Sequence, residues 1–289
     1  MCFRPPTATR TVKCPDCGAL NQAVKKNCTK CQADLSVTKI NPVNWFMIPV
    51  NDMAKATTFY ETVFGFALAA HDAGIMRMAV FPAQEGTMGT NGSLVQADGY
   101  KPAEEGCVVY LAVNDIPKTL AKIEENGGKI LQPQMAMGDL GYLAQFRDCE
   151  GNRVGLYSPA AITKLNPVNW FMLPVHDLAK AKRFYEKALS YSLTTNKMGA
   201  LSMHWFPLLP KTAGSSGSLV QAEGYTPSEN GCVVYLSVND IEKALEKVVA
   251  NGGKILQPQT ELGDLGCIAH FLDCEGNRVG LYAYQPKYK

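Results

Sequence analysis

The chain has 289 residues, of which 46% are hydrophobic and 19% are charged, and its formal net charge is +2. This composition is typical of a globular protein, and it excludes collagen-like, coiled-coil and disordered classes. The sequence contains no apolar run of the length that a signal peptide or a membrane span requires, so we expect a cytoplasmic protein with no membrane partner.

The first 40 residues contain two closely spaced cysteine pairs, Cys14 with Cys17 and Cys28 with Cys31. Two such pairs supply the four thiolates of a closed, tetrahedral structural Zn²⁺ site. Because so short a segment buries little apolar surface, the metal would supply its folding free energy. The pattern resembles the zinc-ribbon family, with Gln32 where that family usually has glycine. A redox dithiol is the alternative interpretation.

The same 40 residues are basic, with seven Lys and Arg against two Asp. This excess favours an anionic partner for residues 1–40, either a nucleic acid or an acidic protein. The alternative is a solvated basic surface, because no aromatic side chains are interleaved with the charges.

Residues 41–158 are repeated as residues 166–283, exactly 125 positions later, with 71 identities in 118 aligned pairs. A unit of this length is a domain rather than a solenoid repeat. We therefore predict three segments, with a zinc ribbon over 1–40, one domain over 41–158 and a second over 166–283.

Each long repeat contains two βαβββ patterns. In the first pattern Val43 to Val50 is an apolar strand, Asp52 caps a helix that ends at Gly65, and three short strands follow. In the second pattern Asp115 caps the helix, and a final strand runs from Arg153 to Tyr157. The fold class is therefore α+β, with four such modules in the chain.

The order of short motifs resembles one superfamily. Phe59-Tyr60-Glu61, Asn126-Gly127-Gly128-Lys129 and the run from Asp148 to Tyr157 occur in this order, and the same three motifs return in the second repeat. The pattern is similar to the glyoxalase/bleomycin resistance/extradiol dioxygenase superfamily, also called vicinal oxygen chelate proteins. This resemblance implies two tandem glyoxalase-like domains, each a pair of βαβββ modules forming a cupped mixed β-barrel, and the two domains are expected to pair within the chain.

Metal-dependent members of this superfamily place ligands on the first, fifth and last strands of the barrel. Those positions carry Trp45 and Trp170, Val108 and Val233, and Gly155 and Gly280 here, and the remaining ligand position offers at best Gln96 or Gln221. Indole, isopropyl and hydrogen side chains have no lone pair for a divalent ion. We therefore expect no metal in the barrels, and metal-dependent lactoylglutathione lyase chemistry is disfavoured.

The four histidines share no spacing between the repeats and are interpreted as isolated surface side chains or as side chains whose hydrogen bonds are satisfied.

The resemblance implies that Trp45, Val108 and Gly155 point into the cup, and because side chains alternate across a strand, the other inward-facing positions follow from these. The first cup is predicted to contain Trp45, Met47, Tyr110, Arg153 and Tyr157, with Gly155 facing Trp45. The second is predicted to contain Trp170, Met172, Tyr235, Arg278 and Tyr282. Such a cavity suits a planar or anionic small molecule. The alternative is that these side chains only fill the barrel and that Arg153 pairs with Asp148.

Three further features have weaker interpretations. Cys149 and Cys274 lie in turns without a neighbouring base in sequence, and Cys107 and Cys232 are read as small buried hydrophobes. The glycine-rich segments 86–92 and 214–217 lack a phosphate-binding pattern and are expected to be mobile flaps over the cups.

Three functions follow from these residues. The leading hypothesis is a metal-free protein that binds or sequesters a small organic molecule. The rival is a lyase, isomerase or dioxygenase with chemistry carried by Tyr110, Arg153 or an unexpected metal. The third is an adaptor that docks through its zinc ribbon.

Overall fold

A computed structural model of the protein describes residues 11–13, 20–22, 29–30, 41–83, 87–160, 165–209, 212–262 and 266–283. The chain divides into two compact units, Met1–Ile40 and Asn41–Lys289. In the first unit strands β1 (Thr11–Lys13) and β2 (Leu20–Gln22) pair antiparallel. The four predicted zinc ligands, Cys14, Cys17, Cys28 and Cys31, lie outside the described residues, so the zinc site stays a prediction.

The second unit consists of four βαβββ modules, as the sequence predicts. Module 1 contains β3 (Val43–Pro49), α1 (Met53–Phe64), β4 (Ala69–Asp72), β5 (Arg77–Val80) and β6 (Asn91–Gln96). Module 2 contains β7 (Val108–Ala112), α2 (Ile116–Glu125), β8 (Lys129–Ala136), a 3-10 turn (Gly138–Leu140), β9 (Tyr142–Arg147) and β10 (Arg153–Ser158). Module 3 contains β11 (Val168–Pro174), α3 (Leu178–Leu189), β12 (Thr194–Met198), β13 (Leu201–Trp205) and β14 (Ser218–Gln221). Module 4 contains β15 (Val233–Ser237), α4 (Ile241–Ala250), β16 (Lys254–Glu261), β17 (Cys267–Leu272) and β18 (Arg278–Ala283).

The predicted N-termini of α1 and α2 and the predicted C-terminus of α1 are confirmed. Asp52 precedes α1, and its carboxylate accepts the backbone N–H of Lys55 at 3.0 Å. Asp115 caps α2 in the same way through Lys118 N, at 2.9 Å. These carboxylates satisfy backbone donors that have no partner within the first helical turn. Helix α1 ends at Gly65, whose φ of 75° is a left-handed conformation that glycine adopts without strain.

Each eight-stranded sheet combines one module of the first repeat with one module of the second. One eight-stranded sheet has the order β16-β17-β18-β15-β3-β6-β5-β4, and the other has the order β12-β13-β14-β11-β7-β10-β9-β8. Module 1 therefore shares a sheet with module 4, and module 2 shares one with module 3, each through an antiparallel central pair. Each sheet curls into a half-barrel. The prediction that each repeat closes its own cup is wrong, because the two halves of a cup come from different repeats.

The two faces of each sheet bury different clusters. On β3, Phe46 and Ile48 pack in the large core that also includes the helices, whereas Trp45 and Met47 face the concave side. This alternation is the one that the period of a strand dictates. The concave faces of the two sheets are separate clusters, and we refer to them below as cups.

The Asp-Cys-Glu-Gly-Asn motif joins the two modules of one repeat on the helical side. The buried carboxylate of Asp148 accepts the Tyr60 hydroxyl at 2.8 Å and the Asn152 amide at 2.9 Å. The same amide donates to the carbonyl of Pro49 at 2.7 Å, at the end of β3. Glu150 accepts the backbone N–H of Asn51 at 2.7 Å, just before α1. The motif is therefore a structural contact between modules 1 and 2, and the second repeat forms the same bonds from Asp273, Glu275 and Asn277.

The opening Asn-Pro-Val motif joins the two repeats. Asn41 donates to the carbonyls of Thr212 and Gly214 at 3.0 and 3.2 Å, and Asn166 donates to Thr87 O at 3.0 Å. Gly89 and Gly214 form an antiparallel bridge. In the described part of the glycine-rich segments, the backbone is thus bonded to the opposite repeat, and the expectation of mobile flaps is not supported there.

Among the described residues, no helix is both long and apolar enough to cross a bilayer.

Replacing the asparagine of this structural motif is expected to destabilise the fold. Asn152→Ala leaves a buried carbonyl and a buried carboxylate oxygen without their amide partner, which costs about 1–3 kcal/mol. Asn277→Ala removes the equivalent bonds in the second repeat and should cost a similar amount. Urea unfolding measures both, with Asn126→Ala as the control because Asn126 is exposed and bonds only within its own helix. Equal stability of Asn152→Ala and Asn126→Ala would contradict this role.

Candidate ligand-binding cups

Each cup combines a tryptophan and a methionine from one repeat with tyrosines from the other. Trp45 and Met47 of β3 meet Tyr235 of β15 and Tyr282 of β18 in one cup. Trp170, Met172, Tyr110 and Tyr157 form the corresponding group in the other cup. All of the predicted inward-facing aromatic and methionine side chains do face a cup, but the predicted grouping by repeat is wrong, because the sheets combine modules of different repeats. We call the two sites the His270 cup and the Gln145 cup, after the residues at their centres.

A tyrosine ring lies against a glycine in the floor of each cup. A Cβ atom placed on Gly280 would be 2.3 Å from Cδ1 of Tyr235, and one on Gly155 would be 2.1 Å from Cδ1 of Tyr110. Both tyrosines are completely buried. Only glycine fits at these positions, since any side chain would overlap the phenol ring. The glycines therefore do not face the tryptophans across open space, as the sequence suggested, and they make room for tyrosine.

The positions that would carry metal ligands do not suit a divalent cation. Trp45, Val233 and Gly280 all contribute to the His270 cup, and none has a donor lone pair for a metal. Gln96 lies on the opposite face of β6 from Val95, and its amide donates to the carbonyl of Asn51 at 2.5 Å. Within the described ranges, no group of three or more His, Cys, Asp or Glu side chains is placed to hold a metal ion. The donor set thus does not fit the metal that the resemblance implies.

His270 is a buried histidine at the centre of one cup. Its Nε2 lies 2.7 Å from the Tyr235 hydroxyl and 3.1 Å from the Tyr100 hydroxyl, and its Nδ1 lies 2.8 Å from Oε1 of Gln257. Because an amide oxygen only accepts hydrogen bonds, Nδ1 carries the proton and Nε2 presents its lone pair to Tyr235. Burial, together with the charge of Arg278, lowers the pKa of His270 to about 3. The imidazole is therefore neutral at physiological pH.

Gln145 occupies the equivalent position in the other cup, 125 residues earlier. Its amide nitrogen lies 2.5 Å from the hydroxyls of Tyr110 and Tyr225. Burial raises the pKa of Tyr110 well above its usual value, so this hydroxyl keeps its proton. The Gln145 cup has a neutral amide where the His270 cup has a titratable ring.

Both predicted arginines lie across the rim of a cup and stack on a tyrosine. The guanidinium of Arg278 lies 4.2 Å from the centre of the Tyr100 ring and donates to Gly99 O at 2.5 Å. Arg153 lies 4.8 Å from the centre of the Tyr225 ring and donates to Gly224 O at 2.6 Å. Neither contact is the bond from Arg153 to Asp148 that the alternative interpretation required. A cation held over an aromatic ring at the rim gives each cup a positive entrance.

Several enclosed donors on the cup faces lack a protein partner. In the His270 cup these are Trp45 Nε1, Ser93 Oγ and Arg278 Nε. Ser93 lies beside Met47 in the β3 and β6 pairing and is completely buried. In the Gln145 cup the donors without a protein partner are Trp170 Nε1, Trp205 Nε1 and Arg153 Nε, and Gln145 Oε1 is an unpartnered acceptor. A buried donor without a partner is costly, so these atoms favour a bound molecule that brings acceptors.

Buried side chains fill the floor of each cup, whereas the side chains at the rim are partly exposed. Met47, Met172, Tyr110 and Tyr235 are each at most 2% exposed, as the interpretation of side-chain filling predicts. The rim residues, including Trp45, Tyr282 and Arg278, are only partly buried. A shallow surface groove also lies beside the His270 cup, and Met76 and Tyr100 form part of its wall. Any ligand would therefore lie above the tyrosine floor rather than replace it.

The remaining cysteine and histidine candidates are poor reactive groups. Burial and the nearby carboxylates of Asp148 and Glu150 raise the pKa of Cys149 to about 12, although Lys55 is close by. A thiol of this kind is a weak nucleophile at neutral pH. Cys107 and Cys232 are buried, as expected from the sequence. His71 and His176 are exposed, in agreement with the interpretation as surface side chains.

The sequence interpretation missed Tyr100, Tyr225, Gln145 and the central position of His270. One signal was available for the last two. Gln145 and His270 are equivalent residues of a strand that pairs with the final strand of its module, where Gly155 and Gly280 were already assigned to the inside. Tyr100 and Tyr225 come from segments between modules, where strand alternation gives no direction.

The buried imidazole is expected to make stability depend on pH. The folded-state pKa of His270, about 3, is below the unfolded value of about 6.5, so the unfolded chain binds the proton more readily. Stability should therefore be complete above about pH 6.5 and fall as the pH decreases, by about 2 kcal/mol between pH 7 and pH 5 from this group. His270→Gln should remove that contribution, as measured by urea unfolding at both pH values.

The exposed histidine His71 provides the matched control, and His71→Gln should keep the wild-type dependence on pH. If His270→Gln loses as much stability on acidification as the wild type does, the imidazole is not buried in its neutral form.

Comparison with known proteins agrees with this architecture. The family model of the Glyoxalase/Bleomycin resistance protein/Dioxygenase superfamily matches residues 42–156 and again residues 168–281. The chain is 24% identical over 249 residues to the Mycobacterium tuberculosis protein named "Putative glyoxylase CFP32", and the alignment covers 81% of this chain and 91% of that protein. It is 28% identical over 160 residues to the Arabidopsis thaliana protein named "Probable lactoylglutathione lyase, chloroplastic", covering 50% of this chain and 43% of that protein.

Solved structures show the same fold. Glyoxalase I from Zea mays aligns with a TM-score of 0.64 at 24% identity, covering 84% of this chain and 92% of the maize chain. A structure from Bacillus subtilis, described as a "putative dioxygenase", aligns with a TM-score of 0.58 at 13% identity. The alignment covers 86% of this chain and 87% of that chain. Identities this low establish the fold alone. With two modules per repeat, two matched family domains and two half-barrel sheets, the chain belongs to the glyoxalase/bleomycin resistance protein/dioxygenase superfamily.

Proposed function

We propose that the cups bind a small, planar organic molecule that carries hydrogen-bond acceptors or a negative charge, without a metal ion in the barrel. The observation that supports this most directly is the pair of donors without protein partners on rim side chains, Trp45 Nε1 and Arg278 Nε in one cup. A ligand that accepts from these groups would satisfy them in a site where water competes poorly.

The shape and charge of the rim agree with such a ligand. Trp45 and Tyr282 present aromatic surface that suits a flat ring, and Arg278 supplies a cation beside it. The Gln145 cup offers the same arrangement through Trp170, Tyr157 and Arg153. Because both the aromatic surface and the cation are at the rim, the proposal requires no opening of the floor.

The lactoylglutathione lyase activity in the name of the Arabidopsis relative is not part of this proposal. That name belongs to a protein of which the alignment covers 43%. In this chain the last-strand position holds glycine under a tyrosine ring, and the first-strand position holds tryptophan. Binding or sequestration needs neither a metal nor a reactive side chain, and it is the function that these residues favour.

Binding can be tested with 2-naphthalenesulfonate, which is planar and permanently anionic. Calorimetric titration of the full chain in the presence of EDTA should show binding, because no metal is required. The double variant Trp45→Ala and Trp170→Ala removes one indole from each cup and should weaken binding by roughly tenfold, the effect of losing one aromatic contact. Tyr142→Ala is the matched control, since Tyr142 is 42% exposed and alternates with the cup residue Leu143 along β9.

Three results would each overturn the proposal: no binding by the wild type, binding that EDTA abolishes, or equal affinity of the double tryptophan variant and Tyr142→Ala.

A further inference from the structure

The two cups are made from equivalent residues, so the positions at which they differ show how their chemistry differs. The tryptophan, methionine, arginine and three tyrosines of one cup each have a counterpart 125 residues away in the other. At the centre, His270 stands where the other cup has Gln145. This exchange replaces an amide, which does not titrate, by an imidazole, which does.

A second difference concerns the contacts of the tryptophan. Trp205 packs edge to face with Trp170 in the Gln145 cup, with ring centres 5.3 Å apart. Its counterpart in the His270 cup is Val80, which packs against the same face as Trp45. Because valine has no ring, it offers Trp45 no such edge-to-face contact at this position.

The surroundings of His270 fix which nitrogen is free to accept a proton. Gln257 holds Nδ1–H through Oε1 at 2.8 Å, and its own amide donates to Thr260 at 3.0 Å, which sets the orientation of the amide. The equivalent Gln132 is instead directed to the sulfur of Met135, at 3.5 Å on the surface. The orienting glutamine is therefore engaged only in the cup that contains the histidine.

Building on the proposed binding function, we propose that the His270 cup binds a small aromatic anion together with one proton, which is held on Nε2 of His270, whereas the Gln145 cup binds the same anion without a proton. The proton comes from solvent. Nε2–H then donates to the Tyr235 hydroxyl oxygen, and the hydroxyl proton turns to the sulfur of Met47, 3.1 Å away. No bond other than these hydrogen bonds changes.

Charge explains why an anion would bring a proton with it. The polar groups that face His270 are Tyr100 before β7, Tyr235 on β15, Gln257 on β16 and Arg278 on β18. Of these only Arg278 is charged, and its positive charge opposes an imidazolium. An anion beside Arg278 offsets that repulsion. At a separation of about 5 Å and an effective dielectric constant of about 20, one negative charge favours the imidazolium on the order of 100-fold.

The test is proton uptake on binding of 2-naphthalenesulfonate, whose own charge is constant across the pH range used. Calorimetry in two buffers of different ionisation enthalpy measures the number of protons taken up by the full chain. The wild type should take up about half a proton at about pH 5 and none at about pH 8, and its His270 cup should bind roughly twofold to fourfold more tightly at the lower pH. The neutral analogue 2-naphthalenesulfonamide should bind with no uptake at either pH.

Two exchanges between the cups complete the test. His270→Gln should abolish the uptake at pH 5, and it is expected to fold because Gln145 already occupies this environment in the same chain. Gln145→His should add a second proton-linked site. The imidazole resonances of His270 in the wild type provide an independent measurement, since they should change to the imidazolium pattern when the sulfonate is added at pH 5.

The outcomes separate this inference from the function on which it rests. Binding without uptake, uptake that persists in His270→Gln, or imidazole resonances that do not change would overturn the proton-linked proposal and leave metal-free binding intact. No binding at either pH would overturn both.

Discussion

The contact between a tyrosine ring and a glycine is the constraint on which both cups depend. Tyr235 against Gly280, and Tyr110 against Gly155, fill the centre of each half-barrel and occupy the space that a longer side chain on the last strand would need. Each ring directs its hydroxyl to the residue at the centre of the cup, His270 or Gln145. This contact leaves no room for a metal ligand on the last strand, and it closes the floor of the cup. It also positions the tyrosine hydroxyl at the polar centre of the site.

Duplication within one chain allows the two sites to differ. In a symmetric dimer of identical subunits, both interface sites carry identical residues. Here each cup takes half of its strands from each repeat, so a change in one repeat affects one side of one cup. His270 and Gln145 could therefore diverge while the surrounding tyrosines and arginines stayed the same. The unequal cups are a direct consequence of joining the repeats covalently.

The features that depend on local chemistry could be predicted from the sequence. Asp52 and Gly65 set the ends of α1 through bonds within one turn, and the alternation along β3 correctly placed Met47 on the same face as Trp45. The partner of β3 could not be predicted in this way. The repeats are so similar that a strand of module 2 and its copy in module 4 present nearly the same residues, and sequence patterns give no reason to prefer one.

Tertiary contacts decide between these partners. The bonds of Asp148, Glu150 and Asn152 hold the modules of one repeat together on the helical side, while β3 pairs with β15 of the other repeat. Once that exchange is known, the grouping of the cup residues and the burial of His270 follow. The zinc ribbon is a different case, because its cysteines lie outside the described residues and the spacing of the thiols is its only support.

We propose that these cups bind small molecules without a metal, because tyrosine packed on glycine, tryptophan and valine stand where metal ligands would be. Anomalous diffraction from crystals of the full chain grown with Zn²⁺, Ni²⁺ or Mn²⁺ tests this most directly. The account predicts no anomalous peak inside either cup, whatever is bound elsewhere on the chain. A peak beside Trp45 or Trp170, within bonding distance of the tyrosine floor, would contradict it.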